Sequence, residues 1–294
     1  FVASTGVIGE PLDAGAIAAA VPSLVDRLSP EGLAGCADAI LTTDTFAKTA
    51  TATAEIDGVA VRISGIAKGS GMIAPDMATM LAFLATDADL DAAVLQPLLE
   101  RAVDRSFHCI TVDGDTSTSD TVLLLASRQA RHTPVVAADD PRLAAFVRAL
   151  EEVCRTLAQL VVRDGEGART FVEIVVTGAA DEASARRAGL AVANSPLVKT
   201  AIAGADANWG RVVMALGKSG EALDPDRLAI RFGDVLISAG GGVVEGYDEA
   251  AVAAHLAGGE VRIQADLGVG DGRAHVWTCD LTHGYIDINA DYRS

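Results

Sequence analysis

Helix-like and strand-like segments alternate along the whole chain, and that alternation limits the fold more than any single motif does. Apolar residues at i, i+3 and i+4 predict amphipathic helices over 14–28, 89–106 and 144–165, the last ending at Gly165. Between them, β-branched and apolar runs predict strands over 59–67, 121–127, 170–179, 227–240, 260–268 and 273–281. In 260–268, Val261, Ile263 and Ala265 alternate with Arg262, Gln264 and Asp266, so this strand has one covered and one wet face. Strands and helices are thus interspersed through the whole length, which is consistent with a mixed α/β protein. The stretch 185–211, with Pro196 and Gly204, interrupts the alternation and is placed as a soft sub-domain boundary. No internal repeat runs through the chain, which excludes a solenoid.

Composition narrows the function classes. With 23 Lys and Arg against 40 Asp and Glu, the net charge is −17, which disfavours nucleic acid and anionic membranes as partners. Cys36, Cys109, Cys154 and Cys279 form no CxxC pair, and the five histidines have no metal-ligand spacing. No metal site is expected, and the thiols read as reduced and mostly buried. No apolar run is long enough to span a bilayer. A soluble enzyme and an acidic binding protein both remain.

One short segment carries chemistry. In GIAKGSGMIAPD (65–76), Gly65, Gly69, Gly71 and Pro75 give the composition of an irregular loop, and MLAFLATDA (80–88) reads as a strand buried on both faces. Thr79 lies between them. A threonine hydroxyl in such a loop can attack its own preceding carbonyl, and hydrolysis of the ester leaves the threonine as a new N-terminus. Its α-amine, with a reference pKa of about 7.7–8.0, then serves as base for its own hydroxyl. The bland alternative is a threonine chosen for β-propensity at a strand start.

Several blocks, in order, turn this into a family resemblance: STGVIGEPL (4–12), TTDTFAK (42–48), GIAKGSGMIAPDMATMLAFLATDA (65–88), DGDTSTSDTVLLL (113–125), LVKTAIAGADANWGRV (197–212), DLGVGDG (266–272) and DLTHGYIDINADY (280–292). Together they resemble the ornithine acetyltransferases (glutamate N-acetyltransferases) of arginine biosynthesis, over essentially the whole chain. The resemblance implies an α+β type of α/β fold, a four-layer α/β/β/α arrangement with mixed β-sheets of the DmpA and ornithine acetyltransferase kind. It implies self-cleavage at Ala78–Thr79, giving the C-terminal part of an α chain (1–78) and a β chain (79–294), assembled as α2β2. It also implies that about a quarter of the family's usual length, on the N-terminal side, is absent from a sequence that opens without Met.

Site residues follow from the same resemblance. Thr79 matches the acyl-accepting nucleophile, and Thr5 and Gly6 match the oxyanion hole. Thr42 and Lys68 match positions apt for a substrate carboxylate, Glu166 one apt for the ammonium of ornithine, and Asn289 and Ser294 two further binding positions. The implied reaction moves the acetyl group of N2-acetylornithine to glutamate by double displacement, without cofactor or metal, in the cytoplasm. Acetyl-CoA as a second donor stays open. DGDTSTSD is either a capped turn or part of the site. The rival reading is a self-processing N-terminal-nucleophile amidohydrolase or aminopeptidase, which would pass the acyl group to water.

Overall fold

The computed structural model describes residues 3–29, 31–74 and 80–291. Two mixed sheets organise it, which is the expected α/β class. In the first, β1 (Lys48–Ile56), β2 (Val59–Lys68) and β3 (Leu81–Ala88) are antiparallel in that order, and β4 (Thr121–Ala130) lies parallel to β3. The parallel pair needs a crossover, which α3 (Ala92–Asp104) supplies. The first two strands are joined by Asp57-Gly58, both with positive φ, as a two-residue hairpin turn requires. That dipeptide makes β1, a Thr/Ala alternation, legible in hindsight.

The second sheet runs β10 (Gly272–Cys279), β5 (Phe171–Ala179), β9 (Glu260–Asp266), β6 (Ala229–Phe232), β7 (Val235–Ala239) and β8 (Gly242–Val243), with only β5 and β9 parallel. The single strand expected over 227–240 is therefore two, because the chain turns at Gly233-Asp234 and β7 folds back on β6. The stretch 185–211, expected as an interruption, is mostly helical. It holds the end of α5 (Glu182–Ala193), all of α6 (Pro196–Ala203) and the start of α7 (Trp209–Gly217). Pro196 opens its helix at the first position, where a missing N–H costs nothing, and Ser195 caps it. Gly204 closes it.

Each sheet has its own core. The long helix α4 (Ala144–Arg163) packs on β1 and β2, burying Phe146, Leu150, Val153, Leu157 and Val161 at helical spacing. The alternating residues Val172, Ile174 and Val176 of β5 and Val261, Ile263 and Ala265 of β9 face the second core with α5. Strand β3 begins buried at Leu81 and Ala82, but Ala85 is exposed, so it is not covered on both faces along its length. Helix α1 (Ala14–Asp26) forms as expected, with no residue buried. Cys109, Cys154 and Cys279 are buried and unpaired and Cys36 is exposed; burial pushes the Cys109 and Cys154 thiols up to about 12. No helix among the described residues is long and apolar enough to cross a membrane.

Candidate active site

Segments from distant parts of the sequence converge beside the C-terminal end of β2. They are the loop before β1, the Gly-rich turn after Lys68, the 113–119 run before β4, the 164–167 turn after α4, and α9 (His283–Asp291). They enclose a cavity of about 340 Å³ bordered by Thr5, Gly6, Thr42, Lys68, Glu166 and Asn289, together with Asp113, Ser117, Ser119 and Tyr285. Six of the expected site residues thus share one cavity. Ala78, Thr79 and Ser294 lie outside the described residues.

One wall is built on buried charge. Lys68 is 2% exposed; its Nζ donates to Thr42 Oγ1 at 2.8 Å and stands 3.7 Å from Asp44 Oδ2. Asp44 Oδ1 accepts Lys48 Nζ at 2.7 Å and the Gly69 N–H at 2.6 Å. Lys48 also donates to Asp164 Oδ2 at 2.6 Å, and that oxygen accepts the Thr45 N–H at 2.9 Å. Two cations thus meet two carboxylates away from water, the pairing a buried charge needs. Burial alone would raise the Asp44 carboxyl, but the Gly69 N–H and Lys48 outweigh it and hold it below its ordinary value. For Lys68 burial wins over the attraction of Asp44, and its ammonium sits below the usual lysine range.

The same cavity is also bordered by a carboxylate, Glu166. Glu166 is 9% exposed rather than solvated, as a charged residue in a polar loop would be by default. Its N–H donates to Ser70 O at 2.8 Å, and its Oε2 accepts Asn289 Nδ2 at 2.8 Å. Gly71 makes the room: a Cβ there would lie 2.7 Å from the carboxyl carbon and from both oxygens of Glu166. Tyr285 ties α9 down, donating to Asp113 Oδ2 at 3.0 Å, while Asp113 Oδ1 accepts the N–H groups of Ile73 and Asp115. Burial raises the Asp113 carboxyl despite these donors. Thr5, half-buried, and Gly6, exposed, sit on the rim.

Such a cavity suits a small molecule with a carboxylate and an ammonium. Lys68 with Thr42 offers donors to the first, and Glu166 offers an acceptor to the second. The supporting residues Asp44, Lys48, Asp113, Asp164 and Tyr285 were not singled out by the sequence reading. Asp44 and Lys48 stand inside the block TTDTFAK, but nothing local marks a lysine as the partner of an aspartate 116 positions away.

A model of the ArgJ family matches residues 1–294. The Arginine biosynthesis bifunctional protein ArgJ of Gluconobacter oxydans is 58% identical over 294 residues, covering 100% of this chain and 69% of that protein. The protein of the same name from Rhizobium meliloti is 55% identical over 297 residues, covering 100% of this chain and 72% of its own length. A crystal structure of the bifunctional protein ArgJ from Bacillus halodurans matches with a TM-score of 0.67 and 40% identity, over 70% of this chain and 96% of that one.

Proposed function

This chain belongs to the ArgJ family, the family of ornithine acetyltransferase, and from that premise we propose that it is an acetyltransferase of arginine biosynthesis that carries the acetyl group of N2-acetylornithine to glutamate. The observation that carries the proposal is the single cavity shared by Thr5, Gly6, Thr42, Lys68, Glu166 and Asn289.

In this reading the chain first cuts itself at Ala78–Thr79. The hydroxyl of Thr79 then attacks the acetyl carbonyl while the Thr79 α-amine takes the proton, and Thr5 with the Gly6 N–H stabilises the oxyanion. Lys68 and Thr42 hold the substrate carboxylate and Glu166 the ornithine ammonium, with Asn289 and Ser294 completing the pocket. Ornithine departs, and glutamate enters the same pocket to take the acetyl group. The two halves stay together as α2β2 in the cytoplasm, and acetyl-CoA is a second donor to be tested by release of free CoA.

Intact mass of the full-length protein tests cut and nucleophile together. Two chains are expected, the second starting at Thr79, and Thr79→Ala should give one uncut chain. N2-acetylornithine alone should release one equivalent of ornithine and leave one acetyl group on the second chain, which glutamate then removes. Continuous ornithine release without glutamate would favour the amidohydrolase instead.

A further inference from the structure

Asp120 is a half-buried residue with one carboxyl oxygen shut away from solvent, and the chemistry above has no use for it. It ends the run DGDTSTSD, directly before β4. Its Oδ1 accepts the backbone N–H of Met80 at 2.8 Å, while its Oδ2 has no hydrogen-bond partner among the described residues. Strand pairing holds the two residues in place, since the Thr121 N–H donates to Met80 O at 3.0 Å and Leu81 pairs with Thr121. A carboxylate oxygen buried without a donor is costly, and such an atom calls for a role.

We infer that Asp120 is a positioning residue for acetyl transfer, its carboxylate stabilising the ammonium that forms on the Thr79 backbone nitrogen when that amine takes the hydroxyl proton. The inference rests on the assignment of Thr79 proposed above. Thr79 is bonded through its carbonyl carbon to the Met80 nitrogen, so ordinary bond lengths keep its own nitrogen within about 3.7 Å of that atom in any conformation. Asp120 Oδ1 lies 2.8 Å from the same nitrogen. Amine and carboxylate are therefore at most about 6.5 Å apart, near enough for each to shift the other's titration.

The protons balance. The Thr79 O–H bond breaks as the oxygen-to-acetyl bond forms, and the proton goes to the amine. When the amide C–N bond breaks, that proton passes to the departing ornithine nitrogen. Asp120 gains and loses none, the part the aspartate plays in a Ser-His-Asp triad. Burial pushes the Asp120 carboxyl up to about 7, against the pull of the Met80 N–H and Lys68, so an ammonium arriving beside it favours the charged form. Among the described residues, Lys68 is the charged group that acts on Asp120, and Glu100, Asp104 and His108 border with it a neighbouring cavity of about 420 Å³.

The test is Asp120→Asn in the full-length protein, which keeps an oxygen for the Met80 N–H and removes the charge. Without the anion the amine loses its proton more easily and is a weaker base. The expected result is a kcat lower by about 10-fold or more, with KM for both substrates within about 2-fold. The acid limb of the kcat profile should move down by about one pH unit or more, and Asp120→Glu should move it back. If the Asn variant is unfolded or uncut, Asp120→Ser gives the same readout. An acid limb that stays where it was, a loss carried by KM, or an Asn and a Ser variant that both stay uncut overturns the role in transfer. An unaltered protein that never shows acetyl on Thr79 refutes the Thr79 assignment and this inference with it. Acetyl-Thr79 with an unmoved limb refutes Asp120 alone.

Discussion

Replacing Lys48 by Met strips the cation from the middle of the buried charge cluster, and its cost can be worked from the geometry. Lys48 Nζ lies 2.7 Å from Asp44 Oδ1 and 2.6 Å from Asp164 Oδ2, and the three side chains are 0%, 0% and 2% exposed. At an effective dielectric constant of about 20, each contact is worth about 6 kcal/mol of attraction, most of which offsets desolvation. Losing one partner of a buried pair typically costs about 3–5 kcal/mol, because a charge is left uncompensated. Asp44 keeps Lys68 at 3.7 Å and the Gly69 N–H, and Asp164 keeps Thr45, so the lower end, about 3 kcal/mol, is expected. At about 2–4 °C per kcal/mol for a chain of this order, the melting temperature should fall by about 6–12 °C. The double variant Lys48→Met with Asp164→Asn removes one of the stranded charges and should recover part of the loss. The pH dependence has a definite sign. The Asp44 carboxyl is lowered in the fold, so its contribution is present above the ordinary aspartate value and lost as pH falls through the folded one. Thermal melts followed by circular dichroism should show that acid-side loss in the unaltered protein and less of it in Lys48→Met. A shift under about 2 °C at pH 7, or a double variant no more stable than the single one, refutes the argument.

Two further substitutions probe the cavity. Thr5→Ala should lower kcat by about 10²–10³ with little change in KM; steady-state kinetics showing only a raised KM would move Thr5 out of the oxyanion hole. Gly71→Ala puts a methyl group against the movable end of Glu166, so the carboxylate should shift rather than the backbone. KM for N2-acetylornithine should then rise by about 10-fold or more with the melting temperature nearly unchanged, and an unchanged KM would separate Glu166 from the ammonium.

What the sequence by itself determined is whatever is written in near neighbours along the chain. The 3.6-residue spacing of α4 and the alternation of Val261, Ile263 and Ala265 needed no partner to be read, and both elements form where they were expected. Asp57-Gly58 was equally readable as a hairpin turn, and was missed. Pro196 shows that the effect of a proline depends on position, since it opens α6 from the first turn where it would break a helix from inside. The resemblance singled out Thr5, Gly6, Thr42, Lys68, Glu166 and Asn289, but only the fold decided that they border one cavity. Likewise only the fold decided that Glu166 is buried, that Lys48 reaches Asp164, and that Asp120 receives the Met80 N–H. Those facts depend on which elements become neighbours and on how much water they exclude. Burial and long-range pairing set the charge energetics of a site, and neither is a property of any short stretch of chain.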